Sequence, residues 1–107
     1  MAMWFSACLL FENVSPMRSS SENIWEERIV LLDAASDEEA LHRAEMIGKH
    51  AEHDYIAASG EPIECKFRRI ERIFPLDVQQ PGDETEVFSR FLRESEVRSL
   101  LNPFPDE

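Results

Sequence analysis

The sequence predicts an α+β fold: a four-stranded antiparallel sheet, built in the order β-β-α-β-β-α, with one long helix packed on one face. Three observations lead there. Residues 4–11 (WFSACLLF) are apolar at nearly every position, and residues 24–34 (IWEERIVLLDA) become continuously apolar from Ile29 to Leu32. Ser36 and Glu39 then stand at capping-box spacing, ahead of a run in which small and apolar residues recur every three or four positions.

The first strand is expected from Met3 to Glu12, where Trp, Phe, Leu and Cys are enriched and no helix breaker intervenes. It is apolar on both sides, so both sides need cover. One long helix covers one face, and the second face therefore asks for a partner. The same stretch has no basic residue ahead of it and is closed by Glu12, which argues against a signal peptide, and it is too short to span a bilayer. Residues 13–23 (NVSPMRSSSEN), with Pro16 and the serine triplet Ser19 to Ser21, read as a long connection. In the second strand, Ile24 to Ala34, alternation puts Trp25, Glu27, Ile29 and Leu31 on one face and Glu26, Arg28, Val30 and Leu32 on the other.

Ser36 caps the helix, with Asp37 and Glu38 complementing its N-terminal dipole. Ala40, Ala44, Ile47, Ala51 and Tyr55 make the buried stripe, flanked by Leu41 and Gly48, and the small residues let the helix lie close to the sheet. Gly60 offers a stop near the helix end, or a turn shortly after it. A third strand, Ile63 to Phe74, loses strict alternation at Arg68 and Arg69, where a bulge would restore register. After a loop with Pro75, Pro81 and Gly82, a fourth strand is expected from Thr85 to Arg93. A short helix from Ser95 to Leu101 follows, capped by Ser95 and ended by Pro103.

A chain of 107 residues supports one domain, residues 1–107. With 22 acidic against 11 basic residues, and a formal net charge of −11, the chain repels phosphate backbones and anionic headgroups. Nucleic acid and membrane are therefore not expected as partners; a protein is, either the chain itself or a basic one. Cys8 and Cys65 lie inside apolar runs without metal or redox spacing, which points to reduced, buried thiols and a cytoplasmic location.

The opening WFSACLLFE, WEER at Trp25 to Arg28 followed by LLDAAS, EEA with a later AE in the helix, Gly60, KF with the nearby Ile70, and EVFSRF at Glu86 to Phe91 run through most of the chain. In these the sequence resembles a bacterial family, domain of unknown function 4288. The resemblance implies a bacterial cytoplasmic domain with this order of strands and helices, and it carries over no catalytic residue.

No catalytic residue, cofactor or metal is expected. His42, His50 and His53 fall in the expected helix; His42 and His53 lie opposite its apolar stripe and no third ligand joins His50 and His53. No nucleophile elbow surrounds the serines, and three glycines make no phosphate loop. One polar cluster stands out: Glu27, set between apolar neighbours, needs a counter-charge or hydrogen bonds, and Arg28, Arg69 and Arg90 are the candidates. Trp4, Phe5 and Trp25 are the candidate anchors of a binding surface. The leading expectation is thus a non-enzymatic protein-interaction module that self-associates or inhibits a basic partner such as a toxin. The other is a small-ligand-binding or enzymatic domain with a polar site near Glu27 and the strand arginines.

Overall fold

The computed structural model describes residues 3–104. Its elements are β1 (Met3–Val14), β2 (Ile24–Ala34), α1 (Asp37–His50), β3 (His53–Ile56), β4 (Pro62–Pro75) and α2 (Glu94–Leu101). The four strands form one antiparallel sheet in the order β2-β1-β4-β3, and the class is α+β.

β1 pairs with β2 in unbroken register from Met3 opposite Ala34 to Asn13 opposite Ile24. Its odd-numbered side chains Phe5, Ala7, Leu9 and Phe11 join Leu32 and Ala34 of β2, Cys65 of β4, and Ala40 and Ala44 of α1 in the buried core. Residues opposite one another in an antiparallel pair share a face, so this is the face that α1 covers. Ala40, Ala44 and Gly48, four apart, are the buried residues of the helix. They bring its backbone so close to the sheet that a Cβ at Gly48 would stand 2.4 Å from Cδ1 of Phe67. The N-terminus forms as the spacing predicts: Ser36 Oγ accepts from the Glu39 N–H at 3.2 Å. The Glu39 carboxylate reaches back to the N–H of Ala35 at 3.2 Å.

The expected bulge in β4 is present, and a second follows it. Pairing with β1 steps from Phe67 to Arg69 between Phe11 and Leu10, skipping Arg68, and from Ile70 to Arg72 between Leu9 and Cys8, skipping Glu71. Each bulge inserts one residue and flips the alternation. Phe67, Ile70 and Ile73, three apart in sequence, consequently all lie on the α1 face opposite Phe11, Leu9 and Ala7.

Several expectations are corrected. α1 ends at His50 instead of running to Tyr55; Glu52 hydrogen-bonds through its carboxylate to the Phe67 N–H at 2.9 Å, and residues 53–56 leave the helix to pair with residues 62–65. His53 and Tyr55 are thus strand residues, and Gly60, at φ 89°, makes the β3–β4 turn instead of stopping a helix. The strand expected from Thr85 to Arg93 does not form, so the observed element order agrees with the expected one only roughly. α2 begins at Glu94 and not by Ser95 capping; the Glu96 carboxylate accepts from the Arg93 N–H at 2.8 Å.

Replacing Gly48 by Ala is expected to lower stability by about 1–3 kcal/mol through overpacking against Phe67. The gain of about 1 kcal/mol in helix propensity should not compensate for it. Urea unfolding measures the change, and adding Phe67→Leu should recover part of it.

Candidate functional site

The second face of the sheet is a lattice of three-residue rows read across β2, β1 and β4. The rows are Trp25, Glu12 and Lys66; Glu27, Leu10 and Arg69; Ile29, Cys8 and Arg72; and Leu31, Ser6 and Phe74. Trp4 opposite Asp33 extends it. The predicted residues Trp4, Trp25, Glu27 and Arg69 are therefore brought to one face, though Leu10 separates Glu27 from Arg69.

The β4 half of this face is covered by the chain's own residues 85–91, which corrects the expectation that the whole face awaits a partner. Ser6 Oγ donates to the carbonyl of Val87, and the Arg72 guanidinium donates to the carbonyl of Ser89 at 3.5 Å. The Phe88 ring meets Phe74 edge-on at 5.7 Å, with Arg72 and Arg90 guanidinium carbons 5.1 and 5.8 Å from its centroid. Arg90 pairs with Glu71 at 3.6 Å. Carbonyls of this segment are thus taken by side chains of the sheet, and it lies on the face instead of extending a ladder.

The β2 half is open. Trp25 is 50%, Ile29 46% and Leu31 47% exposed, along an edge strand. Glu27 sits among them, and its Oε2 accepts from the Cys8 thiol at 3.2 Å. Burial, together with the hydrogen bond to and the negative charge of Glu27, pushes the Cys8 thiol from 9.0 up to about 12. It is a proton donor to a carboxylate and not a nucleophile. Cys65, opposite Asn13, lies on the α1 face, so the sheet separates the two free thiols.

Arg28 does not join Glu27. It lies on the α1 face opposite Leu9, stacks 4.3 Å over the Phe11 ring, and forks onto the Glu26 carboxylate at 2.9 and 3.1 Å. Sequence reasoning missed Cys8 as the partner of Glu27, which lies on the neighbouring strand, and Glu71 as that of Arg90, which reaches it from the irregular segment folded over the sheet. It had Ile29 and Leu31 in view through the alternation of β2.

Among the described residues, no group of three or more His, Cys, Asp or Glu side chains is placed to hold a metal ion. No helix among them is long and apolar enough to cross a membrane. An open groove of ≈ 520 Å³ lies at the far edge of the sheet, lined by Pro16, Tyr55, Ile56, Pro62 and Ile63 among others.

A shift from 9.0 to about 12 lowers the thiolate fraction at pH 8 roughly 10³-fold. Alkylation of native protein followed by site-resolved mass spectrometry is accordingly expected to leave Cys8 unmodified through pH 9, and to label it once the chain is unfolded.

The family model for Domain of unknown function (DUF4288) matches residues 4–89. No curated protein and no solved structure matches the chain.

Proposed function

Since the chain belongs to the DUF4288 family, whose function is unknown, we propose from its own geometry that it is a non-enzymatic protein-interaction module of the bacterial cytoplasm. Its docking surface is the open half of the second sheet face. One observation carries the reading: β2 is an 11-residue edge strand on which Trp25, Ile29 and Leu31 stand half exposed on the side that residues 85–91 leave uncovered. Its Ile29–Leu32 stretch holds no charge and no proline, and no bulge interrupts the pairing of β2 with β1. Those are the usual guards of an edge. Trp25 supplies an aromatic anchor of the kind that dominates interfaces.

The partner is either a second copy or a basic protein, for example a toxin, drawn to the strip by the chain's net charge of −11. Capture of binding proteins by the tagged chain, compared with its Ile29→Lys, Leu31→Lys variant at low and moderate salt, tests this. The expected outcome is a bound protein that the variant fails to retain; retention of the same proteins by the variant would remove the strip as the docking surface. A basic partner should also be lost as salt rises.

A second reading, an anionic small-ligand site, rests on Arg69, which forms no ion pair or side-chain hydrogen bond among the described residues, one position across Leu10 from Glu27. Inorganic phosphate or small carboxylates should then raise Tm in the native sequence and not in Arg69→Ala. No shift in the native sequence removes this reading.

A further inference from the structure

We propose that the open strip of β2 is covered by α2 of a second copy, in a two-fold dimer whose chains exchange their C-terminal arms. The proposal rests on the reading above that the strip is a docking surface, and it names the occupant.

The arm carries the complementary surface. Val97, Leu100 and Leu101 follow one another at steps of three and one and so line one side of α2, with Ser95 and Ser99 opposite, and Phe104 lies exposed just beyond the helix end. None of the eight helix residues is buried, and Leu101 and Phe104 are 82% and 73% exposed. A helix of eight residues is well below the roughly 12–15 at which an isolated helix becomes even marginally stable in water. Its apolar stripe therefore needs a surface to lie on.

Within one chain that surface is not reached. Residues 85–91 hold the arm over the β4 half of the face, two strands away from β2, or roughly 10 Å. Among the described elements, α2 packs substantially against neither the strands nor α1. The radius of gyration is 16.4 Å and the principal extents are 48 × 34 × 23 Å, against about 13 Å for the radius of a compact chain of this length.

A second copy offers both missing halves at once: its strip to this arm, and its arm to this strip. The exposed apolar side chains of strip and arm amount to roughly 800 Å² per copy, about one partner's share of a stable interface. The occupant also continues a cover already begun, because the arm crosses the same face of its own sheet before leaving it. Two copies of net charge −11 repel one another, so the dimer should tighten as salt screens them. A basic partner would respond in the opposite direction.

Sedimentation velocity on the full chain, at about 50 and 300 mM salt, is the test. The native sequence should sediment as a dimer that is tighter at the higher salt. Leu100→Asp with Leu101→Asp, on residues with no role in the core, should raise the dissociation constant roughly a hundredfold, as should Ile29→Lys with Leu31→Lys. Mixing the two monomeric variants should restore a heterodimer, since one intact arm then meets one intact strip.

A monomeric native chain overturns the exchange while leaving the strip open to a foreign protein. A dimer broken by the strip variant and not by the arm variant overturns the exchange and keeps the docking surface. A dimer broken by the arm variant alone overturns both. A mixture that stays monomeric overturns the pairing of arm with strip.

Discussion

Burial of β1 on both faces is the constraint to which the rest of the structure answers. Phe5, Ala7, Leu9 and Phe11 point into one layer, and Ser6 and Cys8 are buried in the other. Each large apolar side chain withdrawn from water contributes about 1.5–3 kcal/mol, and none of that is realised unless something covers the strand. α1 can cover one face because Ala40, Ala44 and Gly48 present almost no side chain, which lets the Phe67 ring fill the space beneath the helix. On the other side the cover is an irregular segment, and the small side chains of Ser6 and Cys8 leave room for it. The Ser6 hydroxyl then satisfies a carbonyl of that segment, a group that would otherwise be costly to withdraw from water.

The polar groups follow the same economy of space. Glu12 accepts from the Asn23 amide at 2.9 Å and from Arg68 at 3.0 Å, and these partners hold its carboxyl below the ordinary value of 4.5. Arg68 is a bulge residue of β4, so the interruption of the ladder also supplies a cation to β1. Glu61 gathers the Ser15 hydroxyl at 2.7 Å and Arg18 at 2.9 Å, tying the long β1–β2 connection to the β3–β4 turn. Ion pairs exposed at this level contribute little stability each. Their effect is to set where loops lie, and the fold is held by the layered core.

Functionally, the two halves of the second face differ in kind. Toward β4 two arginines are occupied, Arg72 by Phe88 and the Ser89 carbonyl and Arg90 by Glu71 and the same ring. Toward β2 the surface is apolar around Ile29 and Leu31, and the Glu27 carboxylate between them is engaged by a thiol whose acidity burial lowers. The unburied stripe of α2 is the counterpart we propose for it, and both belong to the same chain.

Elements governed by local pattern were legible in the sequence: the doubly apolar β1, the alternation of β2, the Ser36 cap and small-residue face of α1, and a bulge near Arg68. The placement of Trp4, Trp25 and Glu27 on one face was also within reach through alternation and antiparallel pairing, whereas Arg69 joins them only because the bulge at Arg68 reverses the alternation of Ile63, Cys65 and Phe67. What tertiary structure alone decided was the fate of segments with two competing uses. Residues 53–56 continue the helical stripe at Tyr55, yet pairing with β4 and the hold of Glu52 on the Phe67 N–H draw them into a strand. Residues 85–91 have strand composition, yet they lie across the sheet because Ser6, Arg72 and Phe74 bind them from below. Arg28 and Glu27 are neighbours in sequence, and the pleat sends them to opposite faces and different partners. In each case the deciding contact comes from a residue distant in sequence, whose position only the folded sheet defines.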